Sequence, residues 1–431
     1  MNGLIVAAPR SGAGKTTISL GLMRALTRRG TVVQPFKCGP DYIDPAFHGA
    51  AAGRPSFNLD TWAMARGTLA GLLKERAADI AIAEGVMGLF DGVAEPGQTA
   101  RGATADLAAL LGWPVVLVLD VSGQTETAAA IALGCARYRT DVEIAGVILN
   151  NVASPRHLAL IAPAFDRIGM RVFGAISRDA RLSLPERHLG LVQAGETADI
   201  EIRLNALADA VEQGLDLDAV RAAARPAKLA AGAEPGIRPP GQRIALAQDR
   251  AFSFMYPHLL ESWRAAGAEI VPFSPLANEA PDAAADIVWL PGGYPELHAG
   301  TLAAADRFHA GLQTFTGPIH GECGGYMVLG QGIEDAEGAR HALAGLLRLE
   351  TSFAKPRLHL GYRRARLRFD CPLGAAGTEI FGHEFHYAST LSAGDEALVD
   401  CRDATGATMP EGGGRQGRVS GSFFHAIDTA A

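Results

Sequence analysis

Two stretches of this chain combine residue types at spacings that serve chemistry. The first is LIVAAPRSGAGKTT, residues 4–17. A short apolar run ends in Gly12, Ala13 and Gly14, which carry no bulky side chains, and Lys15-Thr16-Thr17 then opens a helical pattern. Strand, glycine loop and helix N-terminus in that order cradle phosphate. Backbone N–H groups and the helix end face the anion, Lys15 neutralises phosphate oxygens, and the Thr16 hydroxyl can ligate Mg²⁺. The stretch departs from the usual P-loop pattern at its first glycine, where Pro9 stands. The second is HGECGGY, in which Gly321 and Gly325 flank Cys323 two residues to either side. This is the spacing of a nucleophile elbow, where small neighbours let a strained turn present the nucleophile at a helix N-terminus. The helix field there is expected to lower the thiol pKa.

A thiol nucleophile needs oxyanion donors and a base. The Gly324 backbone N–H is the natural first donor, and the Gly292-Gly293 turn offers the second through Gly293. His425 near the C-terminus, and His383 and His386 in GHEFHY, are candidate bases. The elbow alone does not choose among them.

Other polar groups gather where strands end. FKCGPDYIDP, with two prolines and a glycine, reads as a loop in which Lys37, Asp41 and Asp44 can meet phosphate, metal or a polar substrate. DIAIAEG is a strand closing on Glu84, a position suited to holding Mg²⁺. VMGLFDG (86–92) is too apolar and glycine-rich for an idle turn and is expected to wall the active site. Asn150 and Asn151 fit either base recognition or a polar strand-end turn, and His188 is equally open.

The elements that must position these groups alternate. Apolar strand-like runs at 31–36, 79–85, 113–120, 144–151 and 171–176 are separated by helical stretches, which gives a doubly wound parallel α/β sheet. Residues 56–62 read as a loop and 64–77 as a helix, while 196–222 read as one long helix. RPAKLAAGAEPGIRPPGQ (225–242) has the composition of a linker. Strands restart at 243–247, 268–273, 286–290 and 317–320, with a helix at about 256–266. The expected division is a nucleotide-dependent domain at 1–224, a linker at 225–242 and a thiol-bearing domain at 243–431.

Composition bounds the rest. The 431 residues suffice for two or three domains, and 48% hydrophobic with 20% charged residues is ordinary for a globular protein. A net charge of −7 argues against general nucleic-acid affinity. No apolar run reaches the roughly 20 residues that span a bilayer. The first residues enter a strand without a signal-like region, and the 5 cysteines are scattered without metal-ligand spacing. A cytoplasmic protein is expected.

Taken in order, LIVAAPRSGAGKTT, FKCGPDYIDP, AEGVMGLFDG, LPGGYPE, HGECGGYMVLG and GHEFHY resemble the corrin a,c-diamide synthases over nearly the whole chain. These act on cobyrinic acid or, in aerobic cobalamin producers, on hydrogenobyrinic acid. The resemblance implies a dethiobiotin-synthetase-like P-loop domain followed by a class I glutamine amidotransferase-like α/β domain. It implies ATP- and glutamine-dependent amidation of the a and c acetate carboxylates through acyl phosphates, with Mg²⁺ required. It puts Gly12, Ala13, Gly14, Lys15, Thr16, Thr17 and Lys37 at ATP, and Thr16, Glu84 and Asp44 at the metal. Asp41, Tyr42, Asp44 and Asp91 fall at the corrinoid, and Cys323 takes His425 as its base. A homodimer is expected.

One departure stands out. Class I amidotransferases usually carry a glutamate two residues after the catalytic histidine, and here that residue is Ile427. A Cys323–His425 dyad is therefore expected, oriented by some other group. Two alternatives are weaker. Cobyric acid synthase shares the two-domain plan, but the KCGPDYIDP loop resembles the diamide synthases instead. A partitioning-type ATPase switch would use Arg10 where its signature lysine stands, yet it has no role for a cysteine elbow.

Overall fold

The computed structural model describes residues 1–74, 76–182, 186–187, 190–191, 199–229 and 236–431. His188 and part of the expected linker lie outside the described residues. Two compact units are present, Met1–Trp62 with Arg66–Glu234, and Ala63–Ala65 with Pro235–Ala431.

The first unit runs β1 (Asn2–Ala7), α1 (Lys15–Arg28), β2 (Val33–Cys38), α2 (Asp44–Ala52), β3 (Phe57–Leu59), α3 (Arg66–Lys74), β4 (Ile80–Glu84), α4 (Thr104–Leu111) and β5 (Val115–Asp120). It continues through α5 (Thr127–Tyr138), β6 (Ile144–Val152), α6 (Pro155–Arg167), β7 (Val172–Ser177), a short pair β8 (Glu186–Arg187) and β9 (Gly190–Leu191), α7 (Ile200–Gly214), α8 (Leu217–Ala223) and β10 (Arg225–Pro226). Strands order β3-β2-β4-β1-β5-β6-β7, all parallel, as expected of strands linked by helices. The strand order reverses at β1, the strand that feeds the phosphate-cradling turn, and open α/β sheets bind ligands at such a point. The apolar face of α1 (Ile18, Leu22, Leu26) packs with Val6, Ile82 and Leu207 in one buried core.

Three sequence expectations change here. Phe57–Leu59, read as a loop, is an edge strand paired with β2. The expected long helix is two, because Leu215 leaves helical geometry and Asp216 caps α8 by accepting the Ala219 N–H at 2.9 Å. The 37–45 stretch is less of a loop than its prolines suggest, since Lys37 and Cys38 finish β2 and Asp44 starts α2. Of the 225–242 stretch, Arg225–Pro226 pair antiparallel with β1, while the Ile237 carbonyl accepts from Trp263 Nε1 at 2.9 Å.

The second unit contains β11 (Arg243–Ala247), α9 (Pro257–Ala265), β12 (Glu269–Phe273), β13 (Ile287–Leu290), α10 (Ala299–Ala303), α11 (Asp306–Thr314), β14 (Ile319–Glu322) and α12 (Gly324–Leu329). Shorter strands follow as β15 (Gly332–Glu334), β16 (Arg340–Ala342), β17 (Leu349–Ser352), β18 (His359–Leu367), β19 (Glu379–His386), β20 (Ser389–Ala393) and β21 (Val399–Asp403). The chain ends in β22 (Gly414–Gln416), β23 (Val419–Ser422) and β24 (Phe424–Thr429). The main sheet orders β12-β11-β13-β14-β23-β22, parallel except for β22. Two four-stranded sheets, β16-β15-β17-β20 and β21-β18-β19-β24, complete the unit. β14 is central in the main sheet, so the residue that follows it, Cys323, leaves the sheet between β13 and β23.

Candidate active sites

The turn after β1 explains its glycines. Gly14 caps α1 in a left-handed conformation (φ 94°), and a Cβ there would lie 2.1 Å from Asn150 Nδ2, so no side chain fits. Asn150 donates to the Ala13 carbonyl at 3.0 Å. This bond ties the end of β6 to the turn that precedes α1. Asn151, itself left-handed, donates to Asp120.

Glu84 is the hub of this site. Its Oε1 accepts from the Thr16 hydroxyl at 2.6 Å and from Lys37 Nζ at 3.1 Å, and its Oε2 meets His48 Nε2 at 2.7 Å. Lys37 and Glu84 are register partners on β2 and β4, so the parallel pairing brings them together. Lys37 also donates to Asp44 Oδ2 at 2.5 Å, with Asp41 Oδ2 at 4.0 Å. Glu84, Lys37 and His48 are fully or almost fully buried. Burial alone would raise Glu84, but Lys37, His48 and Thr16 together hold it well below the usual carboxylate range. Burial, then the Asp41 charge, push Asp44 up to about 7 against the pull of Lys37.

The lysines differ in what they touch. Lys15 Nζ donates to the Met87 carbonyl at 2.6 Å, and burial followed by the Lys37 charge lowers its pKa. Lys37 is tied to carboxylates instead of standing free for phosphate. The 85–92 loop is stitched to the phosphate turn by Gly85 N–H to Val6 O and Leu89 N–H to Ala8 O, both 2.8 Å. Asp91 is exposed and accepts the Gly88 N–H at 2.9 Å. Asp41 accepts the N–H groups of Ile43 and Asp44, capping the start of α2. Tyr42 and Thr17 are half-buried, and Gly12 is exposed with φ 73°.

In the second unit Cys323 has φ 47° and ψ −106°, a conformation that costs a non-glycine residue about 1–3 kcal/mol. Its neighbours must be small: a Cβ on Gly325 would lie 2.0 Å from the Leu290 carbonyl, and one on Gly321 2.7 Å from the Gly325 backbone. A Cβ on Gly324 would stand 3.1 Å from the Gly293 nitrogen, so the two candidate oxyanion donors are side by side. A Cβ on Gly292 would meet His425 Cε1 at 2.2 Å, Nε2 at 2.9 Å and Cys323 Cβ at 3.2 Å. That bare glycine borders both the His425 ring and the Cys323 Cβ, which places the two residues on one side of the site.

The thiol donates to the Phe385 carbonyl at 3.4 Å. The expected lowering of its pKa is not what this pocket does. Burial pushes the thiol well up and outweighs the Gly324 N–H, because α12 is a single short turn and a half and the thiol is cut off from water. Burial likewise pushes His425 down to about 3. Of the other candidate bases, His386 is hydrogen-bonded to Glu384 at 2.9 Å and stacked between His359 and Phe423, and His383 lies across the strand pair from His425. Glu384 in turn is pinned by Arg363 at 2.6 Å.

Comparison with known proteins bears on what these two sites do together. Residues 4–192 match the CobQ/CobB/MinD/ParA nucleotide binding domain, and residues 243–430 match the CobB/CobQ-like glutamine amidotransferase domain. Hydrogenobyrinate a,c-diamide synthase of Rhodobacter capsulatus is 60% identical over 99% of this chain and 98% of its own length. The proteins of the same name from Mesorhizobium japonicum and Agrobacterium fabrum are 58% and 53% identical, each over at least 98% of both chains. The chain belongs to the hydrogenobyrinate a,c-diamide synthase family. It is an amide-forming enzyme of the ATP-using, glutamine-using kind, as the sequence motifs implied. Among the described residues no helix is long and apolar enough to cross a membrane.

Against this family background, sequence reasoning overlooked two groups. His48 sits inside α2 in an apolar sequence, with nothing local to mark it, and only the fold aims it at Glu84. Glu322 adjoins the nucleophile, and its neighbour drew the eye instead.

Proposed function

We propose that this chain amidates the a and c acetate carboxylates of metal-free hydrogenobyrinic acid, consuming ATP and glutamine, in cobalamin biosynthesis. The reading is carried by one coincidence: a P-loop wired to Glu84 and a glycine-flanked Cys323 with His425 beside the same glycine occur in one chain of this family. Residues 1–224 act as the synthetase and 243–431 as the glutaminase.

In the glutaminase, His425 takes the Cys323 thiol proton and the sulfur attacks the side-chain amide carbon of glutamine. The oxyanion accepts from the Gly324 and Gly293 N–H groups. The carbon–nitrogen bond breaks, His425 returns the proton to the leaving nitrogen, and ammonia departs. Water then cleaves the thioester to glutamate. In the synthetase, a substrate carboxylate oxygen attacks the γ-phosphorus of ATP and ADP leaves. Ammonia attacks the resulting acyl phosphate and phosphate leaves, which overcomes the poor electrophilicity of a carboxylate. Gly12 to Thr17 cradle the nucleotide and Lys15 neutralises its phosphates. Lys37 acts chiefly by holding Asp44 and Glu84. Thr16, Glu84 and Asp44 offer the hard oxygen donors that Mg²⁺ takes, and they would hold it beside the Lys37 ammonium, which already bonds both carboxylates. When bound, it would neutralise phosphate charge. Asp41, Tyr42 and Asp91 are assigned to the corrinoid side.

The test is a product assay with ATP, Mg²⁺ and either hydrogenobyrinic or cobyrinic acid, with glutamine and ammonium supplied separately. Diamide from hydrogenobyrinic acid is expected with both nitrogen sources. ATP hydrolysis without mass gain on either corrinoid would overturn the substrate.

A further inference from the structure

The dyad lacks its usual acid, since the residue two after His425 is Ile427, apolar and buried. Glu322, the last residue of β14, supplies a carboxylate from the other direction. Its Oε1 accepts the Ala426 N–H at 3.0 Å, which locks the carboxyl against the backbone next to His425. Its Oε2 stands 3.9 Å from His425 Nδ1, and the two side chains are 2% and 0% exposed. The adjoining edge of the ring, Cε1 and Nε2, is the edge that approaches Gly292 beside Cys323. Nδ1 is the ring nitrogen beside the acid, and Cε1 and Nε2 border the Gly292 position next to the Cys323 Cβ.

We propose that Glu322 is the positioning residue of His425, standing in for the missing glutamate. This rests on the Cys323–His425 reading above. A carboxylate on the Nδ1 side favours the tautomer with the proton on that nitrogen, so that Nε2 is the unprotonated one that takes the thiol proton. It also stabilises the imidazolium that results, as the acid of a serine triad does. A gap of 3.9 Å is longer than a hydrogen bond, and catalytic hydrogen bonds are often long in resting enzymes and tighten with substrate. Burial pushes the carboxyl up to about 8 against the pull of the Ala426 N–H, so its ionised form is the one that an imidazolium formed on His425 would favour. The Phe254 backbone also faces His425 and favours its charged form, so the acid shares the task with a peptide carbonyl.

Glu322→Gln separates positioning from mere structure. Its amide oxygen can still accept from Ala426, but it has no charge for His425. The expected result is a fall of about 100-fold in glutaminase kcat with KM unchanged. Circular dichroism and denaturant unfolding of the full chain serve as the folding control, because ammonium-driven amidation reports only on the synthetase residues. Glu322→Asp, which keeps the charge on a shorter arm, should fall between Glu322→Gln and wild type. If Glu322→Gln matches wild type, Glu322 is only the acceptor for Ala426 and the Phe254 carbonyl orients the ring alone. Should Glu322→Gln fail the folding control, Glu322→Asp carries the test: a loss confined to kcat supports the role, and an unchanged kcat overturns it. If Cys323→Ala and His425→Ala retain glutaminase activity, the dyad itself is wrong, which is a different failure.

Discussion

In the first unit the candidate site is built of paired charges: Glu84 engages Thr16, Lys37 and His48, and Lys37 engages Asp44 as well. In the second, Cys323 and His425 are buried among glycines and aromatic side chains, and burial disfavours the charged form of each. The contrast follows from the two chemistries. Phosphoryl transfer needs fixed charge around oxygens that carry charge throughout, so the protein arranges ions and offsets their burial with partners. Thiol attack needs charge only as the reaction proceeds, so a neutral resting pair with prepared N–H donors is enough, and substrate completes the site.

The largest blow to this contrast is removal of the nucleophile. Cys323→Ala should cut glutamine-driven diamide formation by at least about 10⁴-fold while ammonium-driven formation persists, read by mass spectrometry of the corrinoid. If both fail together, the two sites are not separable. Lys15→Ala is the converse. ATP-dependent amidation from ammonium should fall by about 10²–10³-fold, and glutaminase activity should survive.

A third prediction tests the paired charges themselves. His48→Ala leaves one Glu84 oxygen without its buried partner and should cost about 1–3 kcal/mol of stability, measured by denaturant unfolding. Little change would mean that Glu84 does not depend on that contact. The neutral second site predicts a pH dependence. Burial pushes His320, His383 and His425 to about 3 and His258 to about 4, while their unfolded value is 6.5. Their folded pKa values are depressed, so the unfolded chain binds the extra protons. Stability present above about pH 6.5 is then lost as pH falls toward the folded values. Burial raises Glu322 to about 8 and Glu296 to about 7, which acts oppositely, but the two acids are fewer than the four histidines. Amide hydrogen exchange in this unit should accelerate from pH 6.5 to 4.5 after correction for intrinsic rates. The smallest effect belongs to Asp41→Ala, which removes the acceptor for Ile43 and Asp44 and should cost about 1 kcal/mol.

How much was legible beforehand varies with the range of the interaction. The parallel strands β1, β2, β4 and β5 announced themselves as apolar runs ending in chemistry, and the elbow was visible because Gly321 and Gly325 are demanded within a few residues of Cys323. The break at Leu215–Asp216 was hidden, since the same apolar spacing continues through α7 and α8. The smaller sheets built from β15 to β21 left no comparable signal. Strands such as β16 and β20, short and largely exposed, are specified by their cross-strand neighbours more than by their own pattern.

The sequence by itself determined the phosphate turn, the cysteine elbow, their order along the chain and the family they imply, because each is a local arrangement whose backbone admits few residues. Tertiary structure alone decided which side chains complete them. His48 reaches Glu84 from a different helix, and Asn150 supports Ala13 from a distant strand. Glu322 and His425 meet because β14 lies beside β23, from which the chain passes into β24. Those contacts depend on strand register and burial, and neither is written in the spacing of any one segment.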